Sequence, residues 1–194
     1  MAEEYSARIT DVVNSSSVAF MMSLAKDTGI LTALKDALQP LTSQEIADLK
    51  GLKERYVREI LGCLACAKLV RLETSDTGET SYFLTDEEKK GLEHEVNWPF
   101  LSIPRLFASK YNSLKGLCDA KGPYGFYYSE EAHEVLEEIS IRLTEPNINT
   151  MLTNIAGLKE RLETGIDVIE FGCGSGQLLA SLATSYPKSR FTAS

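Results

Sequence analysis

Positive charge is scarce in this sequence: 20 Lys and Arg stand against 28 Asp and Glu, for a formal net charge of −8. That balance opposes non-specific attraction to polyanions, so a nucleic-acid role needs a local basic patch. Cysteine is scarce as well. Cys63, Cys66, Cys118 and Cys173 in 194 residues give no disulfide framework, and a reduced, cytoplasmic setting is expected. No long apolar run is present: the stretch at residues 18–25 is interrupted by Ser23 and closed by Lys26. The start, Met1-Ala-Glu-Glu-Tyr5, has no basic leader, so neither a signal peptide nor contact with a membrane is expected. Histidine is limited to His94 and His133. The Cys63-x-x-Cys66 pair therefore lacks partners for a metal site, and inside its helical pattern it reads as two buried small apolar residues.

What is present is globular composition, 43% hydrophobic and 25% charged, enough for one or two cores. Apolar residues recur at helical spacing through Val12, Val13, Phe20 and Leu24, and a second short run holds Ile30, Leu31, Leu34 and Leu38 before Pro40. Two amphipathic helices are predicted over residues 1–40. Phe20, Met21, Met22 and Leu24 exceed what one small domain can cover, so this segment is expected to make a homodimer. In "LTSQEIADLKG", Thr42 and Glu45 form a capping box, Leu41 and Ile46 a hydrophobic staple, and Gly51 a stop. A second helix follows, with Val57, Ile60, Leu61 and Leu64 on one face. Then "VRLETSDTGETSYFLT" alternates around Gly78 as a hairpin does. Helix, turn, helix and hairpin make a winged helix over residues 41–85. As a DNA reader it would need exposed basic or amide side chains on its second helix. Lys53, Arg55 and Arg58 are offset by Glu54 and Glu59, which favours a protein-contact module that does not bind nucleic acid.

Residues 86–165 read as a helical connector. "TDEEKKGLEHE" is a charged helix or linker, and helices are predicted at 129–143 and 147–162. Tyr124, Phe126, Tyr127 and Tyr128 cluster beside Gly122 and Gly125, as core packing or as the wall of a pocket. His133 has no catalytic company.

The densest signal is "VIEFGCGSG", with three glycines in five positions behind an apolar run and ahead of the helical "QLLASLATSY". A strand-to-helix turn is the usual place for a nucleotide. A dinucleotide fingerprint fails, because the position of its third glycine is Gln177. A phosphate-cradling loop that ends in Gly-Lys fails too, since no lysine lies between Lys159 and Lys188. What remains is acidic-x-Gly-x-Gly-x-Gly: Glu170, Gly172, Gly174 and Gly176. A tight turn with no ligand has the same spacing.

This run resembles the first motif of class I S-adenosylmethionine-dependent methyltransferases. The cofactor's chemistry agrees, since it carries a sulfonium and an ammonium but no phosphate, and a carboxylate with close-approaching glycine backbone complements it. The resemblance implies cofactor-binding roles for Glu170, Gly172, Cys173, Gly174 and Gly176, with no metal. From Leu41 onward the layout is similar to methyltransferases that carry an N-terminal winged helix, some of which act on small molecules. The expected fold is thus a mainly α winged-helix domain followed by the start of a Rossmann-like α/β domain at residues 166–194. The sequence looks like the N-terminal part of a longer enzyme, with the ribose-binding acidic residue expected at or just past Ser194. The catalytic residues stay unknown, and so does the methyl acceptor beyond a small molecule. A winged-helix transcriptional regulator and a non-catalytic methyltransferase-like interaction protein are the alternatives.

Overall fold

The computed structural model describes residues 1–94, 97–125 and 128–194, apart from the side chain of Glu131. It divides into two compact units, Met1–Phe126 and Tyr127–Ser194.

The first unit opens with α1 (Ala2–Asp27) and α2 (Ile30–Asp36), separated by Gly29 at φ 79°. β1 (Leu41–Thr42) leads into α3 (Ser43–Lys50), whose start is the expected capping box. The Glu45 N–H donates to Thr42 Oγ1 at 3.1 Å, and the Thr42 N–H donates to Glu45 Oε2 at 2.7 Å. That N–H, together with the Thr42 hydroxyl donating to the same oxygen at 2.9 Å, holds the Glu45 carboxyl below its ordinary value. Gly51 closes the helix at φ 65°, the left-handed conformation of a helix stop.

α4 (Glu54–Cys66) buries Val57, Ile60, Leu61 and Leu64, the face expected from their spacing. With Ile30, Leu31, Leu34 and Ile46 they form the core of the unit. The cysteine pair departs from expectation. Cys63 is half-buried and Cys66 is exposed, both with free thiols. The face through Leu61 and Leu64 fixes the rotation of α4, and at 100° per residue Cys66 falls on the opposite side. Among the described residues no cluster is suited to hold a metal.

β2 (Arg71–Thr74) and β3 (Thr80–Phe83) make the wing, paired antiparallel from Arg71 opposite Phe83 to Thr74 opposite Thr80. Gly78 turns the tip at φ 83°. β1 adds a third strand that the sequence reading omits, pairing Leu41 with Tyr82 in the order β1-β3-β2. Two residues are too short for a periodic signal, and Thr42 serves as both strand and helix cap.

α5 (Asp86–Glu93) is the helix of the two readings offered for "TDEEKKGLEHE", and it repeats the capping box with Thr85 and Glu88. The carboxylate of Glu88 also accepts from Arg71 Nε at 2.7 Å, which ties α5 to the wing. α6 (Asn97–Phe100) and α7 (Ile103–Leu117) complete the unit. Arg105 of α7 pairs with Asp27 of α1 at 3.3 Å. Tyr124 is fully exposed and Tyr128 is half-exposed, which removes core packing for these two. The chain turns at Gly125 (φ 72°), and the rings of Tyr128 and His133 meet edge-on with centroids 5.8 Å apart. Phe126 and Tyr127, part of the same expectation, lie outside the described residues.

In the second unit one helix, α8 (Glu130–Asn154), replaces the two expected at 129–143 and 147–162. Pro146 sits inside it without ending it. The break falls instead at Ile155 and at Gly157, whose φ of 71° precedes α9 (Leu158–Thr164). Only glycine adopts that angle at no steric cost. β4 (Asp167–Glu170), α10 (Gln177–Ser185) and β5 (Arg190–Ala193) follow as a β-α-β unit, its strands parallel with Asp167 opposite Arg190 and Glu170 opposite Ala193. Ile148, Leu162, Leu182 and Tyr186 form its core, with Val168 and Phe191 packed against it. Among the described residues no helix is long and apolar enough to cross a membrane.

Candidate functional site

The site is the turn from β4 into α10. Parallel pairing carries the ladder past the strand ends: the Ser194 N–H donates to the Glu170 carbonyl at 3.0 Å, and the Gly172 N–H donates to the Ser194 carbonyl at 2.7 Å. The turn is thereby pinned to the end of β5. Asp167 and Arg190 lock the opposite end of the same strand pair, with Nε and Nη2 donating to the two carboxylate oxygens at 2.7 and 2.9 Å. That fork holds the Asp167 carboxyl below its ordinary value.

Within the turn, Gly172, Gly174 and Gly176 take φ of 71°, 54° and 75°. This left-handed region costs residues with a Cβ. A Cβ built on any of the three would meet no protein atom within 4 Å, so close packing does not explain them. Their effect is a backbone that bends three times and leaves open space along one side. Cys173, between the first two, is half-buried, with Sγ 3.7 Å from the Gly174 carbonyl oxygen. Gly176 caps α10 without a side-chain hydrogen bond, which leaves first-turn N–H groups for another partner.

Glu170, the last residue of β4, is half-buried. Its Oε2 is sealed from solvent and has no hydrogen-bond partner among the described residues. A carboxylate oxygen in that condition is costly unless something cationic or protic meets it. Glu170, Gly172, Cys173, Gly174 and Gly176 are thus brought together at one strand end. The residue missed in sequence is Ser194, whose backbone holds the turn. Its signal is the spacing that sets Arg190 opposite Asp167, since that register delivers Ser194 to the glycines.

The architecture is that of a mainly helical winged unit with a three-stranded sheet and, later in the chain, a β-α-β unit with a glycine turn. Residues 16–93 match the family described as the Rv2258c-like winged HTH domain. That span takes in the second half of α1 and the whole of α5 as well as residues 41–85. No curated protein matches the sequence. Among solved structures, human N-acetylserotonin methyltransferase in complex with SAM aligns at TM-score 0.66 and 17% identity, over 97% of this chain and 58% of that one. The mitomycin 7-O-methyltransferase aligns at TM-score 0.68 and 15% identity, over 99% and 58%. An O-methyltransferase family protein from Burkholderia thailandensis aligns at 0.63 and 16%, over 100% and 56%. The chain therefore has the fold of a methyltransferase that carries an N-terminal winged helix, and it spans a little under three fifths of the length of these neighbours.

Proposed function

We propose that the protein is an S-adenosylmethionine-dependent methyltransferase acting on a small molecule. In this reading residues 166–194 open its Rossmann-like domain, and the turn after β4 holds the methionine and ribose part of the cofactor. The observation that carries the reading is Glu170: a buried, unpartnered carboxylate oxygen beside three glycines whose side-chain positions are empty. A ligand with positive charge and no phosphate fits that pair of features better than a pyrophosphate, which Glu170 would repel.

When bound, the cofactor supplies an electrophilic methyl group on a sulfonium. Glu170 offsets the positive charge of its amino-acid portion. Gly172, Cys173 and Gly174 provide backbone that a ligand can approach closely, and Gly176 turns the N-terminal end of α10 toward the same space. The ties to Ser194 fix this surface before binding, which lowers the ordering cost. Aligning an acceptor with the methyl group provides much of the rate, and no side chain of this chain is assigned to proton transfer. Similarity to two enzymes whose names specify small acceptors, N-acetylserotonin and mitomycin, supports a small-molecule substrate. Four free thiols fit a cytoplasmic setting.

The test is Glu170→Gln, which keeps the side chain's shape and removes its charge. S-adenosylmethionine affinity is expected to fall about tenfold, in line with a lost charge-assisted contact of roughly 1.5 kcal/mol. Unchanged affinity would contradict the assigned role.

We infer further that the winged unit does not read DNA. Arg58 of the second helix lies 3.7 Å from Glu54, and Arg71 of the wing lies 2.7 Å from Glu88, so these two cations already face carboxylates. A titration with duplex DNA at moderate salt is expected to show no saturable binding. Tight binding with a steep salt dependence would favour the regulator reading instead.

A further inference from the structure

The winged unit encloses a space that the glycine turn does not account for. Its volume is about 420 Å³, within the range of roughly 300–1,000 Å³ typical of small-ligand sites. Met22 of α1, Leu31 of α2, Leu84 after β3, Leu92 of α5 and Phe100 of α6 line it, so separate stretches of the unit converge on one apolar cavity. Leu31 and Leu84 are buried, Met22 and Leu92 are half-buried, and Phe100 is 39% exposed.

Three polar side chains join this lining, Lys68, Glu88 and Asn97, and two of them are engaged. The Glu88 carboxylate accepts from Arg71 Nε at 2.7 Å and from the Thr85 N–H at 2.9 Å. Asn97 Nδ2 donates to the Gly91 carbonyl at 2.7 Å. The exposed Lys68 ammonium meets no carboxylate among the described residues.

The backbone at Lys68 is unusual as well. The Lys68 N–H donates to the Ala65 carbonyl and the Leu69 N–H to the Leu64 carbonyl, both at 2.9 Å, a paired closure of α4 that normally has glycine at its left-handed residue. Lys68 takes φ 59° there, the one non-glycine residue at positive φ among the described residues. Glycine would relieve that strain, so the chain holds a cation beside the cavity at a position where a lysine is costly.

We propose that this cavity binds a small apolar molecule carrying one carboxylate, with its hydrocarbon part among Met22, Leu31, Leu84 and Phe100 and its anion on the Lys68 ammonium. One cation suits one negative charge, and Glu88 on the same cavity disfavours a dianion such as a phosphate monoester. Burial drives the hydrocarbon inward, and the exposed ammonium keeps the charged end near water. The site belongs to the winged unit alone and does not rest on the cofactor reading.

The test is calorimetric titration of the full chain with octanoate, octan-1-ol and octyltrimethylammonium, probes of one chain length that differ in charge. Trp98, the single tryptophan, lies on α6 with Phe100, so its fluorescence gives a second readout. Octanoate is expected to bind saturably, the alcohol about tenfold more weakly for want of the charge-assisted contact, and the cation not at all. Lys68→Gly is expected to bring octanoate down to the affinity of the alcohol while raising the melting temperature, because the left-handed strain is gone; Lys68→Arg is expected to keep octanoate binding. Gly91 also lines the cavity, and a Cβ built on it meets no protein atom within 4 Å. Gly91→Phe is therefore expected to abolish octanoate binding with helical circular dichroism retained. No octanoate binding by the wild type, equal affinity for octanoate and the alcohol, unchanged affinity in Lys68→Gly, or binding that survives Gly91→Phe would each overturn the proposal.

Discussion

Gly174→Val is expected to abolish S-adenosylmethionine binding, lowering affinity at least a hundredfold, while the protein stays folded. Gly174 sits at φ 54°, where a β-branched residue costs about 1–3 kcal/mol. That strain alone would weaken the turn. The larger effect is steric, because the new side chain would project into space that no protein atom occupies and that the proposal gives to the cofactor. The two contributions separate with a control at the wing. Gly78 has φ 83° and equally open surroundings, so Gly78→Val imposes similar backbone strain far from the turn in sequence. It is expected to lower the melting temperature and leave cofactor affinity unchanged. Calorimetric titration of both variants checks the pair.

The largest stability effect is expected at Leu61. It is fully buried on α4 among Ile30, Leu34, Ile46 and Leu64, in a core that takes side chains from α1, α2, α3 and α4. Leu61→Ala removes three carbons and leaves a void that surrounding helices fill only in part, at a cost of about 2–5 kcal/mol. For a small domain this approaches the whole stability, so the winged unit should melt far below the wild type. Chemical denaturation followed by circular dichroism measures the loss. A destabilisation below about 1 kcal/mol would mean that α4 does not organise this core.

α4 and its neighbours were legible because their signals are local. Thr42 and Glu45 are three residues apart, and the buried face of α4 repeats every three or four positions. The glycine turn was legible because the left-handed angles at Gly172, Gly174 and Gly176 leave few alternatives to glycine. The pieces that escaped depend on distant partners or on competing local effects. β1 exists only because Leu41 finds Tyr82 some forty positions away. Pro146 reads as a helix end, yet α8 continues, and Gly157 marks the break. Tyr124 and Tyr128 read equally as core or as pocket wall from composition, and the structure leaves the first fully exposed and the second half-exposed. At the site, Glu170 was readable as an acidic residue before glycines. Its sealed, unpartnered oxygen was not, because that depends on how β4, β5 and the turn close around it.

The central claim is that the turn after β4 selects a cationic, phosphate-free cofactor, and calorimetry on the protein purified at its native length tests it most directly. Titrated with S-adenosylmethionine and, separately, with a nicotinamide dinucleotide, the wild type is expected to show saturable binding of the first and none of the second, with the first lost in Gly174→Val. Equal affinity of the wild type and Gly174→Val for S-adenosylmethionine, or a preference for the dinucleotide, would contradict the account.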